Sequence, residues 1–458
     1  MTAASREAAR WRPDLDGLLS RLRDVDPVGF EGQVTQVLGT LVEAVGTPAP
    51  LGSTCEIVQG NRSVLAEVVG FRESRALLMP FTGLVGIGHG SRVRPVRSEQ
   101  SAKVGPELLG RVLGPLGEPI DGKGPLHPAG RAPLHRDAPD PMTRSRIGEA
   151  LPTGVRVIDT MLTLGKGQRI GIMAGTGVGK STLLGMIARN VKTDINVIAL
   201  IGERGREVRE FIEEILGDEG MARSVVVAVT GDASPILRVK GALLATTIAE
   251  YFRDRGQDVM LMMDSVTRLA MAQREIGLAA GEPPTSRGYT PSVFAMLPRV
   301  LERCGNSDRG SLTGIYTVLV EGDDMNDPIA DTTRGILDGH IVLTRELASR
   351  NHFPAIDVLK STSRVMKDVV DQRQVDDAGS LREVLAVYAD AEELVNIGAY
   401  RSGSNPKIDK ALELIGPLRA FLRQQVHQPA PIEESLMGLA ELAFEASEPL
   451  EPELEEST

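Results

Sequence analysis

The chain has 458 residues, a length that allows two to four domains. Hydrophobic residues make up 41% and aromatics only 3%, which excludes global disorder and predicts mainly aliphatic cores. A formal net charge of −11 excludes a general nucleic-acid coat, because binding phosphates calls for a basic surface. In chain order, residues 1–26 come first. Leu15, Leu18, Leu19, Leu22 and Val25 recur there at helical spacing among Asp14, Asp16, Arg21, Arg23 and Asp24. The segment reads either as a short helix packed on its own domain or as a helix that docks a partner. It carries acids throughout and lacks the apolar centre of a secretion signal. Residues 27–100 hold short β-rich runs, such as 55–58, 64–69 and 76–79, punctuated by Gly and Pro. They predict a small β-barrel or sandwich. Residues 101–150 are rich in Gly and Pro and read as a connection wrapping a domain surface.

From about 151 to 370, apolar strands alternate with helical stretches. The clearest strands are Arg169–Met173, Ile195–Ile201 and Val259–Met263. They are apolar on both faces, as strands in the middle of a helix-covered parallel sheet must be. After 371 the pattern is helical, with Leu381, Val384, Leu385, Tyr388 and Leu394 at i, i+3, i+4 spacing. The final stretch, 447–458, has five Glu, two Pro and no basic residue, and reads as a disordered acidic tail. Cys55 and Cys304 form no metal-ligand cluster and read as idle thiols in a reducing compartment. No apolar run approaches the roughly 18 residues that a membrane span needs.

The most specific signal is Ala174-Gly175-Thr176-Gly177-Val178-Gly179-Lys180-Ser181, between the strand ending at Met173 and a helix that takes in Thr182. Glycines let backbone N–H groups turn inward around phosphate oxygens, and the helix N-terminus adds partial positive charge. Lys180 would neutralise the β- and γ-phosphates, and Ser181 would offer its hydroxyl to Mg²⁺. Ala174 stands where the strict pattern has Gly. Asp264 ends the strand 259–263 and reads as an acid beside the P-loop strand that holds the Mg²⁺ water shell; a helix N-cap is the plainer alternative. Glu203 follows the strand 195–201, 23 residues after Lys180. Alone it would be a surface loop acid; on the next strand of the same sheet it is a carboxylate placed to polarise an attacking water.

With these residues in view, the chain resembles the catalytic subunits of rotary ATPases, and within them the ATPases of bacterial type III protein export, flagellar and injectisome. The resemblance runs over about residues 30–440. It is carried by the P-loop, Leu200–Val208, Met263–Arg268, Gly281–Pro284, Glu321–Asp324, Asp327–Asp331 and Ile336–Ile341. It implies an α/β fold: a RecA-like P-loop core over 101–370, an N-terminal β-barrel over 27–100 and a C-terminal helical domain over 371–446. It implies a homohexamer with nucleotide sites between subunits. Lys180 and Ser181 then bind phosphate and Mg²⁺, Glu203 is the catalytic carboxylate with Arg204 beside it, and Asp264 is the acid after the metal-site strand. Arg364 matches an arginine finger inserted into a neighbour's site, and Phe353 matches the aromatic that stacks on adenine, with core packing as its plainer reading.

Lys-Ser at the end of the P-loop and Arg-Gly-Arg-Glu-Val after Glu203 separate this chain from the rotary synthase β subunit. Ile397–Tyr400 followed by Gly403–Lys410 looks more like the flagellar form than the injectisome form. A non-hydrolysing ring subunit would usually lose the catalytic Glu or the P-loop Lys, and both are present. An RNA translocase would need a basic, aromatic barrel face, yet after Phe30 the region up to residue 100 has only Phe71 and Phe81 and no Trp or Tyr. The resemblance implies a stator-like regulator at residues 1–26, a stalk protein in the ring pore, and an export gate, chaperones and cargo as partners. No nucleic-acid partner is expected. The location expected is cytoplasmic, peripheral to the inner-membrane export gate.

Overall fold

The computed structural model describes residues 31–97 and 100–448. The amphipathic pattern at 15–25 and the last ten residues of the acidic stretch lie outside them. The chain divides between Ser98 and Glu99 into two compact units.

The first unit is a closed antiparallel barrel of β1 (Gly32–Leu38), β2 (Leu41–Val45), β3 (Thr54–Gln59), β4 (Arg62–Arg72), β5 (Arg75–Pro80) and β6 (Arg92–Arg97), in the order β1-β2-β5-β4-β3-β6. Alternation builds it: along β3, Cys55 and Ile57 turn inward while their neighbours are more exposed. Val34, Val42, Ala66, Val68, Leu78 and Val93 complete an aliphatic core. Closure by β1 and β6 leaves no free sheet edge in the barrel. Phe71 is exposed and Phe81 buried, so the barrel surface gains one aromatic from the pair.

The second unit begins with β7 (Ser101–Val104), β8 (Arg111–Leu113) and β9 (Gly130–Pro133). β7 and β9 pair with each other, but β8 joins the main sheet beside β12. The segment read as a surface connection thus also supplies an edge strand. The main sheet comprises β8, β10 (Arg169–Ala174), β11 (Ile195–Glu203), β12 (Ser224–Thr230), β13 (Asp258–Asp264), β14 (Ser311–Leu319), β15 (Gly339–Leu343) and β16 (Ile356–Ser363). Its order is β16-β15-β10-β14-β13-β11-β12-β8, and every pairing is parallel except β15 with β16. β10, β11, β13 and β14 are buried almost end to end, which accounts for their unbroken apolar runs.

This order corrects one expectation. β13 is not beside the P-loop strand: β14 lies between them, and β11 lies a further strand away. β14 was not singled out in the sequence because Thr313, Gly314, Tyr316 and Thr317 break its apolar run.

Three C-terminal helices, α1 (Gln372–Asn396), α2 (Pro406–Leu422) and α3 (Ile432–Ser447), pack on one another. α3 therefore reaches Ser447, the first residue of the stretch read as a tail. Side chains tie this bundle to the sheet. Arg382 on α1 donates to the carbonyls of Val358, Ser361 and Met161. Gln424, just past α2, accepts from the Arg156 N–H at 2.8 Å and donates to the Gly154 carbonyl at 2.8 Å.

Candidate active site

β10 ends at Ala174, and the loop 175–179 delivers the chain into the helix Lys180–Asn190. Gly177 (φ 80°) and Gly179 (φ 91°) adopt the left-handed conformation that L side chains resist. Gly175 is needed for space, since a Cβ there would sit 2.6 Å from Asp323 Oδ1. Val178 is buried and anchors the loop, while Thr176 and Ser181 are exposed and Thr182 is half-buried.

Lys180 turns back over the sheet. Its side chain is only 11% exposed, and Nζ donates to Asp264 Oδ1 and lies 3.9 Å from Glu203 Oε1. Three residues read separately from the sequence therefore meet at the C-terminal ends of the central strands. Asp264 ends β13, and Glu203 ends β11 across a bulge. There Ile201 pairs with Val229 but Glu203 already pairs with Thr230, with Gly202 left-handed (φ 76°) between them. Burial, reinforced by the Asp264 charge and opposed by Lys180, pushes the Glu203 carboxyl up to about 7. A carboxyl that titrates near neutrality in a cleft with a cation and a second acid fits proton-handling chemistry.

The donors here are oxygens: the Ser181 hydroxyl, the Asp264 carboxylate and the Glu203 carboxylate. Such a set suits a hard divalent cation such as Mg²⁺. Among the described residues, no group of three or more His, Cys, Asp or Glu side chains forms a separate metal cluster.

Phe353 borders the loop, its ring 3.7 Å from where a Cβ on Gly179 would stand, and it is 40% exposed. Its carbonyl accepts from the Gln424 N–H at 2.9 Å. An aromatic held in place yet accessible is suited to stacking on a base.

Two predicted residues are not brought into this cluster. The Arg204 side chain is 85% exposed, with Glu207 3.6 Å away. Arg364 lies at the opposite end of the sheet. It follows β16, whose Ser363 pairs with Gly339 at the start of β15, whereas Ala174 pairs with Leu343 at the end of β15. Its guanidinium is exposed and donates to the Arg334 carbonyl at 3.2 Å.

Two arginines near these residues received no role from the sequence. Arg268 packs on Gly202, its Cβ 3.0 Å from where a Gly202 Cβ would stand, and its Nε is buried with no hydrogen-bond partner among the described residues. Its position one helical turn past Asp264 was the available signal. Arg345 Nη2 lies 3.4 Å from where a Gly175 Cβ would stand, next to Asp323; no local pattern marked it.

Fold and site together define an ATP-hydrolysing P-loop protein. The family model for the ATP synthase alpha/beta family nucleotide-binding domain matches residues 154–363, that for the family's beta-barrel domain matches 34–97, and that for the T3SS EscN ATPase C-terminal domain matches 370–441. The flagellum-specific ATP synthase of Bacillus subtilis (strain 168) is 55% identical over 90% of this chain and 94% of its own. The type 3 secretion system ATPase of Xanthomonas euvesicatoria is 54% identical over 91% of this chain and 94% of its own. The assembled ATPase EscN of the enteropathogenic E. coli type III secretion system superposes with a TM-score of 0.87 at 44% identity, covering 90% of this chain and 100% of EscN. The chain belongs to the family of flagellum-specific and type III secretion ATPases.

Proposed function

We propose that the chain is the ATP-hydrolysing motor of a bacterial type III protein export apparatus of the flagellar kind, working as a homohexamer. The observation that carries the reading is the convergence of Lys180, Asp264 and Glu203 on one glycine loop. Backbone N–H groups of 174–181 hold the phosphates, and Lys180 exchanges its contact with Asp264 for the β- and γ-phosphate oxygens. Ser181 and Asp264 would hold Mg²⁺, which when bound would neutralise charge on the phosphoryl group. Glu203, ionised, orients a water for in-line attack. Phe353 stacks on adenine. Arg364, too far from the site of its own chain, reaches the site of a neighbour and stabilises the transition state there. Arg204, next to Glu203 in the chain, is the further catalytic residue that the family resemblance implies.

The flagellar reading rests on the Bacillus relative and on the segment 397–410. There Tyr400 donates to Asp409 at 2.9 Å and helps close the turn into α2. The Xanthomonas relative, at nearly the same identity, supports an injectisome role as the second reading. A solved complex of EscN with its central stalk EscO, with a TM-score of 0.83 to this chain, supports a stalk partner in the ring pore. Residues 1–26 dock a regulator, and the export gate, chaperones and cargo complete the partners. No helix among the described residues is long and apolar enough to cross a membrane, in keeping with peripheral attachment to the export gate on the cytoplasmic side.

Glu203→Gln tests the core of the reading. It is expected to bind ATP with near wild-type affinity and to lose turnover by about 100-fold or more, as removal of a group that activates water does. Nucleotide binding and phosphate release are measured side by side, and wild-type turnover in the variant would refute the assignment.

A further inference from the structure

We infer that Thr317 is a positioning residue for Asp264, holding its carboxylate so that one oxygen is presented to the metal; the inference rests on the metal role proposed above for Asp264. Thr317 sits on β14, the strand between the P-loop strand and β13. Register places Ile172 of β10 opposite Thr317, and Tyr316 opposite Met263, so Thr317 stands level with Asp264; Leu200 of β11 continues the row. Of these four side chains, only Thr317 and Asp264 are polar.

Thr317 is fully buried, and its hydroxyl donates to Asp264 Oδ1 at 2.7 Å. The alternative acceptor, the Met263 carbonyl, is 3.3 Å away. A buried hydroxyl that serves only its strand would favour the main chain, as Thr313 does at the other end of β14, accepting from the Gly167 N–H at 2.8 Å. Thr317 instead directs its proton at the carboxylate. A hydrogen bond to a charged acceptor is stronger and more directional than one to a neutral acceptor.

Lys180 also donates to Oδ1. Both of these hydrogen bonds fall on one oxygen of the carboxylate, Oδ1, so that Oδ2 would be the oxygen left for the metal's water shell. The two contacts differ in permanence. Lys180 is also the phosphate ligand, so its ammonium is drawn away when nucleotide binds. Thr317 is fixed on β14 and remains to fix the rotation of the carboxylate in the nucleotide-bound state. Partners that orient a metal ligand from behind typically matter on the order of 10–100-fold in metal affinity.

The test measures nucleotide affinity with Mg²⁺ and, separately, in EDTA, on the full chain, with thermal melting as a check on folding. Thr317→Val keeps the shape and deletes the donor. It is expected to weaken Mg²⁺·ATP binding and to raise the Mg²⁺ concentration for half-maximal turnover by about tenfold, with ATP affinity in EDTA unchanged. Thr317→Ser restores the donor and is expected to return both values to wild type. Equal losses with and without Mg²⁺, or no loss in either, overturn the inference. Thr317→Ala gives the same readout should the valine methyl clash. If both variants fail to fold, Thr317 belongs to the fold rather than to the metal site, and the inference also fails. Asp264→Asn separates the two roles. If it leaves the Mg²⁺ requirement at the wild-type value, the metal role of Asp264 is wrong; if it shifts that requirement while Thr317→Val leaves it at the wild-type value, only the role of Thr317 is wrong.

Discussion

Glu203 is where the chemistry of single residues is most exposed to experiment. Its carboxyl sits well above the ordinary value of 4.5, at about 7, chiefly because burial penalises the charge and Asp264 adds to the penalty. If the ionised form orients the attacking water, kcat/KM rises with pH through about 7 and levels off above it. The limb should vanish in Glu203→Gln, and a flat wild-type profile from acid to alkaline pH would contradict the role. Linkage gives the matching stability effect. Between its unfolded value and 7, the folded state binds a proton that the unfolded state has lost, so this site's contribution to stability falls as pH rises through that window. Glu203→Gln never ionises, so it should melt higher than wild type at pH 8, and the difference should close at about pH 4 and below. Identity and chemistry at this scale were legible in the sequence for three residues. Asp264 and Glu203 each stand at the end of an apolar run, where a charged residue is conspicuous, and Lys180 closes a glycine-rich loop. Thr317 and Arg345 were not legible, because a threonine inside a strand or an arginine at the start of a helix is ordinary until its neighbour is known, and Arg268 was marked only by its place one turn past Asp264.

At the scale of elements, the end of β11 decides where Glu203 points. Gly202 takes a left-handed conformation inside the bulge, and Arg268 occupies the space where its Cβ would be. Gly202→Ala must both enter the left-handed region, at about 1–2 kcal/mol, and push against Arg268. It should lower kcat more than it weakens ATP binding, since the P-loop lies on another strand. Equal kcat with a lower melting temperature would show the bulge to be structural only. Periodicity identified β10, β11 and β13, because each is apolar on both faces. The same criterion passed over β14, whose Thr313 and Thr317 have partners that only sheet pairing supplies. The edge strand β8 was hidden for a related reason: three residues in a Gly- and Pro-rich stretch become a strand only when β12 is there to pair with.

For the whole molecule, the position of Arg364 at the far end of the sheet from the P-loop makes a single chain an incomplete enzyme under the proposed mechanism. Arg364→Ala should leave nucleotide binding by the monomer unchanged. It should also abolish the rise of specific activity with protein concentration that wild type shows as rings form. An undiminished rise in a light-scattering and phosphate-release titration would remove Arg364 from the shared site. The sequence by itself determined the phosphate loop, the two acids and the order of barrel, nucleotide core and helices. All of these are written in local composition, glycine placement and the period of apolar residues, which act over a few neighbouring positions. Only the tertiary structure decided the strand order: it put β14 between the P-loop and Asp264, set Thr317 against that carboxylate, folded Lys180 onto it, and left Arg364 facing away. Pairing between strands distant in sequence depends on which surfaces bury best together, a property of the assembled sheet that no single segment carries.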